Sequence, residues 1–367
     1  MNVYTPAELG ITAGDVLALD GVKFYDVREE PFRVYGLYDY KNQPEFRRVP
    51  EDVAAAASPA VRSMARLNSG GRVRFCTSSP YVAIHAEYYA VSPNHVVPMT
   101  VVMGFDLYAA RAGRDSWCAG YRPPKGTTSS TPALSMVKSV HGEKNANGEY
   151  ELTLNLPLNG GLRRLFIGLA PDASLSRRAD YRIERPALYY GSSITHGACA
   201  TRPGMSYPSL ISRSLDVNFI NLGFPGACHA EDVMMHYLAS LDCSVFVYDY
   251  DHNAPNAEVL AATHEKGYLT FRAAHPETPV VMVTKPDFHY RNPSDTTRRD
   301  VIYTTYQNAL RRGEPVLFVD GSQMFTGELA EDCTVEGTHP SDLGMSRMAD
   351  AIGRAVAFAL TMEGGRK

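Results

Sequence analysis

The hydrophobic rhythm of the chain changes near its middle. From about residue 22 to 171, apolar and polar positions alternate with period two in short segments, among them 72–76, 81–88, 101–108, 150–156 and 165–169. Successive side chains of a strand point to opposite faces, so this alternation predicts strands with one buried face. Gly-Gly, Ser-Pro and Asn-Gly punctuation predicts tight antiparallel connections, and the stretch reads as an antiparallel, jelly-roll-like β-sandwich. One helix interrupts it, an alanine-rich run over 50–64 opened by Pro-Glu-Asp. Residues 123–131, rich in Gly, Thr and Ser, read as an exposed loop.

After a polar and basic stretch at 174–186 the strands become apolar throughout. They fall at 187–190, 219–221, 245–248, 280–284 and 316–319, separated by helices over 206–215, 230–241, 256–275, 294–312 and 341–362. A strand with no polar face is covered on both sides, which predicts an α/β fold with a parallel sheet between helical layers. Its ligand sites belong in the loops beyond the C-terminal strand ends. A length of 367 residues exceeds what one hydrophobic core usually supports. Two domains are therefore expected, 1–182 for the sandwich and 183–367 for the α/β part.

Composition narrows the possible partners. With a net charge of -4 and no dense Lys/Arg run, the chain lacks the basic footprint of a nucleic-acid binder. The first eleven residues contain Glu8 and lack the basic and apolar segments of a secretory signal, and no window reaches the roughly 18 apolar residues of a membrane span. The expectation is a cytoplasmic protein acting on a small molecule, its oligomeric state left open. Six cysteines are scattered without CxxC spacing and read as small buried hydrophobes; Cys199 and Cys228 fall near the strongest motifs. On an extended segment His252 points to the opposite face from Asp249 and Asp251, so no metal site is read from the three, and no cofactor is called for. The basic pair Arg298-Arg299 reads as a solvated helix face.

Four strand-end loops carry polar residues that a single acyl-transfer site could use. Gly191-Ser192-Ser193 follows an apolar strand and offers a hydroxyl nucleophile, with Ser193 one step further out than Ser192. Asn221-Leu222-Gly223-Phe224-Pro225-Gly226 offers backbone amides that no side chain obstructs, and Asp249-Tyr250-Asp251-His252-Asn253 ends in a neutral amide donor. Glu336-Gly337-Thr338-His339-Pro340 places a carboxylate three residues before a histidine. His339 would take the proton of Ser193, and Glu336 would hold the imidazole in the correct tautomer. The amides of Ser193 and Gly226 and the side chain of Asn253 would receive the oxyanion of the tetrahedral intermediate. His196, His252 and Arg202 are candidate substrate contacts.

In this order the four blocks resemble the SGNH (GDSL-like) hydrolase family. The resemblance covers about 186–360 and implies a flavodoxin-like three-layer α/β/α domain. It implies a Ser-His-carboxylate triad with Ser193 as nucleophile and His339 as base, and an oxyanion hole completed by Gly226 and Asn253. Gly104-Phe105-Asp106-Leu107-Tyr108 is similar to the Gly-x-Asp-Leu-Tyr signature of the N-terminal sandwich that precedes a subgroup of the family. Cys199-Ala200-Thr201-Arg202-Pro203-Gly204 and Lys285-Pro286-Asp287-Phe288 also look like that subgroup. Asp106 and Tyr108 are read as structural. Two positions depart from the pattern: Ser192 stands where the family name has Asp, and Glu336 where the triad carboxylate is usually Asp. Asp342 and Asp332 are therefore alternative third members.

The resulting expectation is a serine esterase that removes a short acyl group, acetyl by preference, from a carbohydrate or other polar small molecule through an acyl-enzyme. The alternatives are an acyltransferase using the same site and a carbohydrate-binding protein on a hydrolase scaffold.

Overall fold

The computed structural model describes residues 1–286 and 295–364. Asp287 and Phe288 of the Lys-Pro-Asp-Phe motif, and Ser294 at the start of an expected helix, lie outside them. Contacts divide the chain into two units. One comprises Met1–Arg48, Arg66–Asp180 and Thr201–Gly204; the other comprises Val49–Ala65, Tyr181–Ala200 and Met205–Lys367.

The period-two segments of the first unit pair antiparallel. In chain order β1 (Lys23–Asp26) and β2 (Arg33–Tyr35) come first. Two helices of the second unit follow, α1 (Glu51–Ala57) and α2 (Pro59–Met64), and then β3 (Arg72–Thr77), β4 (Tyr81–Val91), the short α3 (Met99–Val102) and β5 (Phe105–Arg111). β6 (Arg114–Tyr121), β7 (Ala133–Ser139), β8 (Tyr150–Asn155), β9 (Gly160–Leu169) and β10 (Leu175–Ser176) complete the unit. One sheet has the order β1-β9-β4-β7; the other has β10-β3-β8-β5-β6, with β2 on β3.

Their inner faces share one core. Val82, Ile84, Ala86, Leu165 and Ile167 from the first sheet pack with Phe75, Leu107, Leu152 and Leu154 from the second. Alternation in β5 turns Phe105, Leu107 and Ala109 into that core and leaves Asp106 and Tyr108 on the opposite face.

Two expectations need correction. The segment 101–108 is not one strand: residues after Pro98 make the single turn α3 before β5 begins. The expected helix over 50–64 breaks in two at Ser58-Pro59. Proline has no N–H to continue the first helix, and the Ser58 side chain instead caps the second by accepting from the Val61 amide.

In the second unit β11 (Ile183–Gly191), α4 (Ser193–His196), α5 (Tyr207–Leu215), β12 (Val217–Gly223), α6 (Asp232–Ser240), β13 (Val245–Asp249), α7 (Ala257–Ala274), β14 (Val280–Val283), α8 (Asp295–Arg311), β15 (Val316–Val319) and α9 (Asp342–Gly364) follow one another. The sheet is parallel with the order β12-β11-β13-β14-β15, the flavodoxin-like 2-1-3-4-5. Both faces are buried. Leu188, Tyr190, Phe246, Tyr248 and Met282 pack beneath α1, α2, α6, α7 and α8. Ala187, Tyr189, Val245, Val247 and Val281 pack beneath α5 and α9. That double burial is why these strands carry no polar alternation.

The register then positions the site. Gly191, the last residue of β11, pairs with Gly223 on one side and with Asp249 on the other. Three strand-end loops thus leave the sheet on one level, at the point where strand order reverses. No described helix is long and apolar enough to cross a membrane.

Candidate active site

The turn after β11 is built for close approach. A Cβ on Gly191 would collide with the Thr195 hydroxyl and the Asp249 carbonyl, and one on Gly223 would collide with the His196 backbone. Ser192 is the N-cap of α4: its side chain accepts from the Ile194 amide at 3.1 Å and is buried. Ser193 is the first helical residue, and its Oγ lies 2.9 Å from His339 Nε2. Gly197 ends the helix after one turn with φ 101°, a left-handed conformation that glycine adopts without strain.

His339 is held by its own loop. Its Nδ1 lies 2.8 Å from Glu336 Oε1, and its backbone N–H donates to the same oxygen at 2.8 Å. The loop folds back on itself through Val335 N–H to His339 carbonyl at 2.9 Å, with Gly337 at φ 92° in the bend. Asp342 is the first residue of α9, and the Asp332 carbonyl accepts from the Ser341 hydroxyl. The carboxylate that meets the imidazole is that of Glu336. A neutral ring with its proton on Nδ1 keeps a lone pair at Nε2 to accept from Ser193.

Gly226, at φ 65° and with open space around its Cα, presents its backbone without obstruction. The Asn253 carbonyl oxygen accepts from the Cys228 amide at 3.4 Å, which turns its Nδ2 to the other side of the side chain. Asn221 ties two loops together: its Nδ2 donates to the Thr195 carbonyl at 2.8 Å and its Oδ1 accepts from the Gly223 amide at 2.9 Å.

Behind these loops lie charges that the sequence reading misplaced or passed over. Arg298 is not on a solvated face. Its guanidinium is buried, donates from Nε to Asp251 Oδ1 at 2.8 Å and from Nη1 to the Ala254 carbonyl at 3.1 Å, and also bonds the Asp251 carbonyl. Asp251 Oδ2 accepts from the Lys285 amide at 3.0 Å. Asn253 is thus bracketed by residues 251 and 254, both fixed to one guanidinium.

Asp249 accepts from the hydroxyls of Thr195 (2.7 Å) and Tyr207 (2.9 Å). Burial pushes its carboxyl up to about 7, with the two hydroxyls opposing the shift and Asp251 adding to it. Asp249 and Asp251 are both engaged in these structural bonds.

The remaining candidates sit as follows. His196 is fully buried, its Nδ1 3.4 Å from the Gly223 carbonyl. His252 is half-buried in the Asn253 loop. Arg202 groups with the first unit, 3.3 Å from Asp106 and over the ring of Trp117, while Asp106 accepts from the Gly204 amide at 2.9 Å and from Asn155 at 2.9 Å. Cys199 is buried, and all six cysteines are free thiols. Its thiol lies with Glu336 and His339 in a group whose ligand atoms are all within 4.8 Å of one another.

A flavodoxin-ordered α/β domain with serine, imidazole and carboxylate in line at its strand ends defines an esterase-type hydrolase. Residues 184–357 match the GDSL-like Lipase/Acylhydrolase family, and residues 22–175 match the GxDLY domain, the N-terminus of SGNH-hydrolase-type esterases. The chain belongs to this SGNH/GDSL family, in the branch that carries the GxDLY domain.

No curated protein matches the chain. Among solved structures, a GDSL-like lipase from Bacteroides ovatus is similar with 26% identity and a TM-score of 0.81, over 93% of this chain and 98% of that one. A salicylyl-acyltransferase from a tetracycline biosynthetic pathway is 18% identical with a TM-score of 0.74, over 92% and 98%. An acetyl xylan esterase from Butyrivibrio proteoclasticus is 13% identical with a TM-score of 0.55, over 93% and 99%.

Proposed function

We propose that the protein is a serine esterase that removes a short acyl group, acetyl by preference, from a carbohydrate or another polar small molecule. The observation that carries the reading is the unbroken line from Ser193 Oγ through His339 to Glu336, with contacts of 2.9 and 2.8 Å. In the first step Ser193 Oγ attacks the ester carbonyl as Nε2 takes its proton. The negative oxygen of the tetrahedral intermediate is received by the Ser193 and Gly226 amides and by Asn253 Nδ2. The intermediate expels the alcohol, which recovers the proton from Nε2, and leaves an acyl ester on Ser193. Water, deprotonated by the same nitrogen, attacks that ester and releases the acid. Glu336 fixes the tautomer and stabilises the imidazolium in both half-reactions.

The acetyl and carbohydrate preference is supported by the fold shared with an acetyl xylan esterase. A second reading, transfer of the acyl group to a hydroxyl other than water, is supported by the fold shared with an acyltransferase. Steady-state hydrolysis of p-nitrophenyl acetate, butyrate and octanoate by the wild type and Ser193→Ala tests both. Preference for acetate, lost in the variant, is the expected result. Labelling of Ser193 by a fluorophosphonate with negligible turnover of all three esters would replace hydrolysis by transfer, and absence of labelling would overturn both.

A further inference from the structure

We propose that Cys199, Glu336 and His339 form an inhibitory site for a thiophilic divalent cation such as Zn²⁺. The proposal rests on the reading of His339 as the general base. Thiolate sulfur, imidazole nitrogen and carboxylate oxygen are a donor set that zinc takes in tetrahedral coordination. Here one atom of each lies within 4.8 Å of the other two. Metal–ligand bonds of 2.0–2.3 Å place such atoms about 3.5 Å apart, so the widest pair must close by at most about 1.3 Å, while Nδ1 and Oε1, now 2.8 Å apart, open slightly. The Glu336 side chain, 37% exposed, has room to supply that movement. Among the described residues, no other trio of His, Cys, Asp or Glu side chains meets this spacing.

Cys199 has no task in the acyl-transfer steps. Yet the chain holds it at φ 68°, a left-handed conformation unusual for a residue with a Cβ, with its buried thiol beside the triad. Burial, and then the charge of Glu336, push the thiol up to about 12, so at rest it is a neutral S–H and does not disturb the histidine.

A cation entering beside the partly exposed carboxylate displaces the thiol proton to solvent and takes the place of the proton on His339 Nδ1, which passes through solvent to Nε2. The single ring proton then resides on Nε2. That nitrogen now donates where it had accepted, and Ser193 loses its base. Binding therefore releases one proton per ion and stops turnover without altering Ser193 itself. Removing the cation with a chelator restores the resting tautomer.

The test titrates Zn²⁺ against p-nitrophenyl acetate hydrolysis by the full chain, each variant normalised to its own metal-free rate. In parallel, Co²⁺ is added and the near-ultraviolet thiolate-to-cobalt absorption is read. The wild type is expected to show chelator-reversible inhibition and the absorption band. Cys199→Ser and Cys199→Ala are each expected to lose the band and to need at least about tenfold more Zn²⁺, since losing even an outer partner of a metal ligand costs about 10–100-fold in affinity. Ser193→Ala is expected to keep the band. Two substitutions of different size guard against a folding defect in either. The cobalt band needs no turnover, so it reports on the metal site even if the esterase reading fails. No band in the wild type, a band that survives loss of Cys199, or equal Zn²⁺ sensitivity in wild type and variants would each overturn the proposal.

Discussion

The two sides of the candidate site are held in different ways. The base side is light: Glu336 and His339 lie three residues apart in one loop, with side chains 37% and 27% exposed, and they orient each other. The nucleophile and oxyanion side is anchored deep in the fold. Its loops leave adjacent strands in register and are fixed from behind by Asn221, by Asp249 with two hydroxyls, and by the Arg298–Asp251 pair, whose side chains are 8% and 0% exposed. In the proposed mechanism the imidazole changes charge within each turnover, and a partly solvated loop tolerates that change. The same mechanism asks its oxyanion donors to stay fixed, because dipoles already in place need no reorganisation when charge develops. Charge mobility and rigidity are therefore separated in space.

Substitutions at the triad set the upper end of the scale. Ser193→Ala should lower kcat for p-nitrophenyl acetate by at least about 10⁴-fold and abolish fluorophosphonate labelling. Glu336→Gln should cost about 10²–10⁴-fold, because a neutral amide no longer stabilises the imidazolium and stops enforcing the tautomer. Asp342→Asn should stay close to the wild type. The reverse pattern would move the third triad position to Asp342 and remove the self-contained base loop from the comparison.

On the anchored side, Asn253→Ala should lower kcat by about 10²–10³-fold with little change in KM, the mark of a donor that acts in the transition state. Arg298→Gln sharpens the contrast. Removing one partner of a buried ion pair should destabilise the protein by about 3–5 kcal/mol in denaturant unfolding. The loosened Asn253 loop should cost about 10–100-fold in kcat. If Arg298 acts through Asn253, its kinetic effect should largely vanish in the Asn253→Ala background, as a double-mutant cycle reads directly. Additive losses would make it a stability residue only.

What the sequence made legible follows from range. Glu336 and His339 are three residues apart, and the Gly-Ser-Ser and Asn-x-Gly-x-x-Gly blocks sit at the ends of apolar strands, so local pattern and the strand-end rule are enough to nominate these loops as a candidate site. Arg298 was misread because its partner Asp251 lies 47 residues away, and an Arg-Arg pair on a helix looks solvated until the tertiary fold is known. Asp249 lies 54 residues from Thr195, and nothing local marks it as buried. The helix over 50–64 was read as one because alanine-rich periodicity outweighed Ser58-Pro59, the stop and cap signal that its own residues carry. Its place in the second unit is a contact between distant segments that no periodicity reports.

The smallest expected effect concerns Asp249. Its carboxyl is raised to about 7 in the folded protein, against about 3.9 for an unfolded aspartate. Between those values the folded state binds a proton that the unfolded state has released, so this residue makes stability fall as pH rises from about 4 to about 7, by at most about 1.4 kcal/mol per pH unit. Below and above that window its contribution is flat. Asparagine keeps an oxygen to accept from Thr195 and Tyr207 and cannot ionise. The thermal midpoint of Asp249→Asn relative to the wild type should therefore climb between pH 4.5 and 7.5, while kcat changes only a few-fold because both hydroxyl bonds persist. A midpoint difference independent of pH would mean that Asp249 is ionised throughout. The anchored side would then carry a full buried charge beside Asp251, and its rigidity would have to come from Arg298 neutralising both carboxylates.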